Sequence, residues 1–322
     1  MRAIQFAQTG GPEVLKLVEL PTPRPGPGEI LIRNQAIGVN FIDIYQRAGL
    51  YPMPLPSGLG LEAAGVVEAI GDGVTRFSVG DAVATSTGQP TYADYTLLPE
   101  GQAVRVPPGI DPQTAAAVML KGTTSEFLIR RLYRVEAGQT VLVHAAAGGV
   151  GQILVQWLKA LGAKVIGTVG SEEKATYVKA LGADHVILYR SEDVAARVRE
   201  ITRGAGVAVA YDSVGKDTFA GTLASLARRG MFVSFGNASG PAPPIDPLQL
   251  MRAGSLFFTR PTIFDYQTTP EELDASASAL FNVVLSGLVK VEIDHAYPLA
   301  NAGEAHTALA SRNTIGASLL IP

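Results

Sequence analysis

The sequence predicts an α/β protein in two parts, a β-rich unit and a doubly wound parallel sheet. Two observations carry this. From about residue 125 to 265, short apolar strands alternate with helices, the rhythm of right-handed βαβ crossovers within one sheet. Before that, strands with alternating apolar and polar residues are separated by glycine and proline turns, as in an antiparallel barrel or sandwich.

In the first part GEILIRNQAIGV (28–39) alternates cleanly, AAGVVEAIGDGV (63–74) runs into a Gly-Asp-Gly turn, and FSVGDAVATS (77–86) repeats the pattern. PTPRPGPG (21–28) and YPMPLPSG (51–58) cannot continue a helix and mark loops, leaving FIDIYQRAG (41–49) as the short helix there. In the second part TVLVHAA (140–146), KVIGTV (164–169), HVILY (185–189), VAVAYDSVG (207–215) and MFVSFGN (231–237) read as strands. GVGQILVQWLKALG (149–162) and EEKATYVKALG (172–182) read as helices between them. SLFFTRP (255–261) reads as the last strand of that sheet, PEELDASASALFNVVLSG (270–287) as a helix, and HAYPL (295–299) and GASLLIP (316–322) as strands returning to the first part.

Composition narrows the function. The 322 residues are 47% hydrophobic and 17% charged, with a net charge of −3, so no basic face is offered to nucleic acid or to an acidic membrane. No apolar run reaches the roughly 18 residues that span a bilayer, and MRAIQFAQTGG lacks a signal-peptide core, which points to a cytoplasmic protein. The chain has no cysteine, so disulfides and thiolate chemistry are excluded. Its four histidines (His144, His185, His295 and His306) have no metal-site spacing and are expected at the surface or as caps.

The stretch VLVHAAAGGVGQ (141–152) contains Ala146-Ala147-Gly148-Gly149-Val150-Gly151, an AxGxxG turn between a strand and an apolar helix. Gly148 lets the backbone approach a diphosphate, Gly151 allows close helix–strand packing, and the helix N-terminus favours an anion. Ala146 replaces the usual first glycine, which a negative φ tolerates. Choice of nucleotide turns on the end of the second strand. An NAD site places an acid about 20 residues beyond the first glycine; here the slot reads Val169-Gly170-Ser171, with Lys174 following and Tyr189-Arg190 closing the next strand. A small residue, a hydroxyl and a cation suit the 2′-phosphate of NADPH. The alternative is that Ser171 caps a helix and Lys174 is a solvated charge. Glu172 and Glu173 suit that helix's first turn but would oppose a phosphate if turned inward.

HAAAGGVG together with AIGVNFIDIYQRAGLYP (36–52), SGLGLEAAGVV (57–67), YDSVG (211–215) and VSFGNASG (233–240) resembles the zinc-free, ζ-crystallin-like quinone oxidoreductases of the medium-chain dehydrogenase/reductase superfamily, particularly the bacterial ones. The resemblance runs the length of the chain. It implies a GroES-like catalytic domain, 1–124 and 266–322, around a Rossmann NADPH-binding domain, 125–265. Zinc-binding members carry ligands where this chain has Asn40, Leu61 and, approximately, Lys121. The resemblance also implies a substrate-cleft motif with Asn40, Tyr45 and Tyr51, and an LKGxT element, Lys121, Gly122 and Thr124, close to the nicotinamide. Each cleft residue has a structural alternative: a helix cap for Asn40, core packing for Tyr45 and a loop cap for Tyr51. Carried-over cofactor residues are Ala147, Gly148, Gly149, Val150 and Gly151 for the diphosphate, and Gly170, Ser171, Lys174 and Tyr189 for the 2′-phosphate. Phe235, Asn237 and Ser239 fall on the nicotinamide side, and Arg312 near the cofactor. The segment 84–99 and the polar Thr123, Ser125 and Glu126 depart from the bacterial pattern and are candidates to line the cleft.

The implied activity is NADPH-dependent quinone reduction without metal, in a homodimer paired through the edge strand at FFTRP. The alternatives are reduction of activated C=C bonds in enones or 2-alkenals, and a non-enzymatic NADPH- or RNA-binding role.

Overall fold

The computed structural model describes residues 1–322 and divides into two compact units, Met1–Thr124 with Tyr266–Leu285 and Val291–Pro322, and Ser125–Asp265 with Ser286–Lys290. The first unit opens with β1 (Arg2–Phe6), β2 (Lys16–Glu19), β3 (Glu29–Val39), α1 (Phe41–Arg47), β4 (Ser57–Gly58) and β5 (Glu62–Ile70). It continues through β6 (Ala82–Thr85), β7 (Tyr95–Pro99), β8 (Val104–Arg105) and α2 (Pro112–Glu126). The second unit holds β9 (Thr140–Val143), α3 (Gly149–Ala160), β10 (Lys164–Val169), α4 (Glu172–Ala180), β11 (His185–Leu188) and α5 (Val194–Ile201). It closes with β12 (Val207–Asp212), α6 (Phe219–Ser225), β13 (Leu226–Ser234), α7 (Pro247–Arg252) and β14 (Phe257–Thr259). The chain returns to the first unit with α8 (Pro270–Leu285), β15 (Ile293–Pro298), α9 (Ala302–Ala310) and β16 (Ala317–Ile321).

In the first unit a three-stranded sheet, β2-β1-β4, accompanies a seven-stranded one ordered β15-β16-β3-β5-β6-β8, with β7 also paired to β3. β3 is long enough to serve two partners. It pairs antiparallel with β5 from Ile30 to Gly38 and with β7 from Glu29 to Arg33. Its inward residues Ile30 and Ile32 pack with Val67, Phe77, Val83 and Leu98, and Ile37 and Val39 pack with Ile4, Phe6, Tyr92 and Leu320. Helix α2 shows no apolar stripe because Ala115–Leu120 are buried on every side. A β-carbon at Gly122 would stand 2.2 Å from Leu280 Cδ1 of α8, so that glycine sets how closely the two helices pack.

The second unit's sheet is wholly parallel, in the order β11-β10-β9-β12-β13-β14. Strands one and four in sequence, β9 and β12, lie side by side, so the strand order reverses direction between them, and ligands of such sheets bind outside the carboxyl ends at that point. Leu142, Ile166, Ile187, Val198, Ala210, Phe219 and Phe232 form the core beneath one face. β14 is an edge strand, as the sequence suggested for FFTRP, and Phe257 on it is exposed.

Candidate active site

The AxGxxG turn leaves β9 directly at the switch point. α3 begins at Gly149, with Gly148 as a cap that has no side chain, so the first N–H groups of a twelve-residue helix face outward from the strand end. The two glycines differ in what they must avoid. A β-carbon at Gly151 would lie 2.3 Å from the Ala145 carbonyl oxygen and 2.8 Å from Ala146 backbone atoms, so that position is bare to let helix meet strand. At Gly148 the nearest atom is the same oxygen at 3.3 Å, so packing within the protein demands glycine there far less than at Gly151. Its bareness fits a ligand's approach instead. The left-handed residue of the turn is Ala145, at φ 51°, while Ala146 keeps the negative φ that its side chain requires.

The second-strand tip carries no acid: β10 ends at Val169, and Gly170 and Ser171 follow. A β-carbon at Gly170 would stand 2.6 Å from the Tyr189 hydroxyl and 3.3 Å from Arg190 Nε, so this glycine admits both side chains to the strand tip. Ser171 caps α4, accepting from Lys174 N at 3.4 Å, which realises the capping alternative without removing the hydroxyl from the site. Glu172 and Glu173 are exposed. A glycine, a hydroxyl, Lys174, Tyr189 and Arg190 around one strand end make a donor set that fits a phosphomonoester better than a bare ribose. Farther along the carboxyl ends, Ser239 is engaged with the 213–217 loop: Oγ donates to the Val214 carbonyl at 2.8 Å and accepts from Asp217 N at 3.0 Å. Phe235 and Asn237 are half-buried beside it, and Arg312, in the first unit, is exposed with φ 58°.

The expectation that the histidines lie at the surface or serve as caps fails for two of the four. His144 and His306 are buried, because each has polar partners on both ring nitrogens and burial then costs no lost hydrogen bond. His144 stands where β9 ends. Thr222 gives its own proton to Asp212 Oδ2 (2.8 Å) or to the Thr218 carbonyl (2.8 Å), so His144 Nε2 donates to Thr222 Oγ1 at 2.9 Å and Nδ1 accepts from Thr168 Oγ1 at 3.0 Å. Burial keeps this imidazole neutral, lowering its pKa. Asp212 also accepts from Thr218 Oγ1 and from the N–H groups of Val214 and Gly215. The network ties the tips of β9, β10 and β12 together beneath the glycine turn.

The first unit holds a second polar cluster. Glu62, fully buried on β5, accepts Leu120 N–H at 2.6 Å on Oε1, and Lys121 Nζ at 2.6 Å and Asn40 Nδ2 at 2.9 Å on Oε2. Lys121 is nearly as buried, at 5% exposure. Asn40 does occupy the N-cap position of α1, yet its side chain is turned to Glu62, and its own N–H donates to Asp43 Oδ2 at 2.8 Å. From Asp43 a line of hydrogen bonds leads away: Tyr92 OH donates to Oδ2 at 2.9 Å, His306 Nε2 lies 3.0 Å from Tyr92 OH, and Arg47 donates to His306 Nδ1 at 3.2 Å. Burial raises the Asp43 pKa to about 7, and burial, with help from Arg47, lowers that of His306 to about 3.

Tyr45 is buried and meets Tyr51 edge-on, ring centroids 5.4 Å apart, with Phe41 against its other side at 6.0 Å. Thr124 is half-buried near the end of α2. Of the polar residues that depart from the bacterial pattern, Thr123 is buried and gives its hydroxyl to the Met119 carbonyl at 2.6 Å. Glu126 holds Arg131 at 3.0 Å and Arg130 at 3.6 Å. Helix back-bonding and ion pairing therefore account for both side chains. Glu62, Asp43, Tyr92 and Arg47 were not singled out in the sequence, and His306 was expected at the surface or as a cap. Glu62 adjoins the quoted motif residue Leu61, and Asp43 lies three residues beyond Asn40, so local signals existed for these two. His306 lies on α9, whose alanine-rich AGEAHTALA carries little periodicity.

A parallel sheet of this order with a glycine turn at its switch point is the architecture of dinucleotide-binding proteins. Residues 149–279 match the family described as zinc-binding dehydrogenase, and residues 26–108 match the alcohol dehydrogenase GroES-like domain. A quinone oxidoreductase of Pseudomonas aeruginosa is 51% identical, the match covering 100% of this chain and 99% of that protein. The crystal structure of Escherichia coli quinone oxidoreductase complexed with NADPH superposes with a TM-score of 0.98 at 47% identity, covering 100% of both chains. A 2-haloacrylate reductase of Burkholderia is 44% identical over 97% of this chain and 96% of that one. The chain belongs to the zinc-free quinone oxidoreductases of the medium-chain dehydrogenase/reductase superfamily.

The first family description names zinc, and the donor set here does not fit it. An amide tied to Glu62, the buried alkyl side chain of Leu61 and an ammonium group stand at the three ligand positions, and no three His, Cys, Asp or Glu side chains are grouped to hold a metal.

Proposed function

We propose that the protein reduces quinones with NADPH by direct hydride transfer. The observation that carries this is the Lys121–Glu62–Asn40 cluster, a buried ammonium fixed by a carboxylate where metal-dependent relatives place a Lewis acid. Hydride addition to a quinone leaves a phenolate oxygen, and a positioned cation stabilises that developing charge before a proton completes the hydroquinone. The cofactor is NADPH, which supplies the hydride when bound. Relatives solved with NADPH support this choice, as does the acid-free tip of β10. The N–H groups at Gly149–Gly151 would hold its diphosphate, and Ser171, Lys174, Tyr189 and Arg190 would take its 2′-phosphate. Tyr45 and Tyr51 offer an edge-to-face pair and two hydroxyls to orient a flat acceptor.

A second reading has a specific observation behind it: the 44%-identical relative is named for reduction of a 2-haloacrylate, an activated C=C bond. Addition to such a bond also develops charge on an oxygen, so Lys121 serves either acceptor. Steady-state kcat/KM with 1,4-benzoquinone, 9,10-phenanthrenequinone and a series of 2-alkenals decides between them. Higher values with the quinones are expected, and higher values with the alkenals overturn the assignment. We also read the exposed Phe257 edge of β14 as a pairing surface for a second copy of the chain.

A further inference from the structure

The line of buried groups from Arg47 to Asp43 has a direction. Arginine can only donate, so His306 Nδ1 accepts and Nε2 carries the ring proton. Nε2–H then donates to the Tyr92 oxygen, which sends the phenolic proton to Asp43 Oδ2. That oxygen also accepts the Asn40 N–H, so it is filled in either charge state. The other oxygen, Oδ1, is buried with no hydrogen-bond partner, which makes it the atom that takes and releases the titrating proton. An ionised carboxylate leaving one oxygen unsolvated costs far more than a neutral acid in the same place.

Asp43 does not titrate in isolation. The groups facing it are Tyr92 from the segment before β7, Glu62 from β5 and Lys121 from α2, with His306 of α9 and Arg47 of α1 behind Tyr92. With Asp43 neutral, Lys121 and Glu62 balance. With Asp43 ionised, two carboxylates compete for one ammonium, and the local charge becomes −1 just where the reaction adds another negative charge. The link is short: Asp43 accepts the backbone N–H of Asn40, whose side chain shares Glu62 Oε2 with Lys121.

We propose that Asp43 is a positioning residue that sets the charge of the Lys121–Glu62–Asn40 cluster, so that the neutral acid supports fast hydride transfer and its ionisation slows it. This rests on the reading of Lys121 given above. The test is kcat against pH from 6 to 8.5 for the wild type, Asp43→Asn and Tyr92→Phe, with whichever acceptor the enzyme turns over. Asparagine keeps an acceptor for both donors without a titratable proton. The wild type is expected to lose rate about tenfold through an apparent pKa near 7, the scale of one unit charge acting across several ångströms of protein. Asp43→Asn is expected to be flat, and Tyr92→Phe, lacking a bond that favours the carboxylate, to move the limb to higher pH. A substrate-free arm follows Tm over the same range. Burial opposes ionisation of Asp43, raising its pKa from 3.8 to about 7, so the wild type loses stability relative to Asp43→Asn as pH rises from about 4 to about 7, and the part of that loss above pH 6 falls within this range. A rate limb that persists in Asp43→Asn, or Tm curves that stay parallel, overturns the proposal. If alkenals are turned over in place of quinones, the function assignment fails while the limb is still measured, so the two failures are separable.

Discussion

Replacing Lys121 with methionine is the most direct test of the buried cluster. The substitution keeps the length of the side chain and removes the ammonium that sits 2.6 Å from Glu62 Oε2. Glu62 then remains fully buried with two neutral donors, Leu120 N–H and Asn40 Nδ2. An uncompensated charge of this kind costs about 3–5 kcal/mol. Glu62→Gln keeps the volume but turns an amide N–H₂ toward either Lys121 or Leu120 N–H, for a loss of about 1–3 kcal/mol from an unsatisfied donor, more for the stranded cation. The double substitution removes both charges of the pair, so it should cost less than the sum of the two singles by roughly 2–3 kcal/mol. Urea unfolding followed by far-UV circular dichroism measures all four corners of the cycle, with unchanged m-values as the check that the transitions remain comparable. A coupling below about 0.5 kcal/mol would refute the ion pair as an energetic unit, and with it the view of Lys121 as a pre-fixed cation.

Lys174→Ala should weaken NADPH by about 1–3 kcal/mol, the range for charge-assisted hydrogen bonds, and leave NADH nearly unchanged. Fluorescence titration with both cofactors reads this, and equal losses would show that Lys174 does not meet the 2′-phosphate. Gly148→Ala and Gly151→Ala should separate binding from folding. The first, meeting the Ala145 oxygen at 3.3 Å, should lower Tm little while losing NADPH affinity; the second, meeting it at 2.3 Å, should lower Tm much more. Phe257→Lys should leave secondary structure intact and give a monomer in size-exclusion chromatography with light scattering; an unchanged mass would place the pairing surface elsewhere.

Much of the second unit was legible because parallel βα repeats write their period openly: Lys164–Val169 is a strand in both readings, and Gly149 starts the helix in both. The acid-free tip at Val169–Gly170 was likewise visible, because it depends on residues adjacent in sequence. Helices α2 and α9 were not read. Their alanine-rich faces are buried by contacts far along the chain; α2 has no polar side over Ala115–Leu120, and on α9 just two polar residues, Glu304 and Thr307, mark the exposed face. The polar cluster was half legible for a related reason. Asn40 and Lys121 stood in recognisable motifs, but what fixes them is Glu62, 22 residues from one and 59 from the other, and Tyr92 and His306, 214 residues apart. Buried histidines follow the same rule, since only the fold brings a partner to each ring nitrogen.

The last strand has a consequence for how the molecule is made. β16, Ala317–Ile321, lies inside the first unit's large sheet, between β15 and β3. A nascent chain emerging from the ribosome can complete the six-stranded parallel sheet once β14 is out. β3, by contrast, pairs with β5 on one side of its Ile37–Val39 end but has no partner on the other until β16 is synthesised. Throughout that interval the unit carrying Lys121 and Asp43 presents an open sheet edge, the kind that recruits foreign strands. Truncation after Gly316 would therefore remove an interior strand of that sheet.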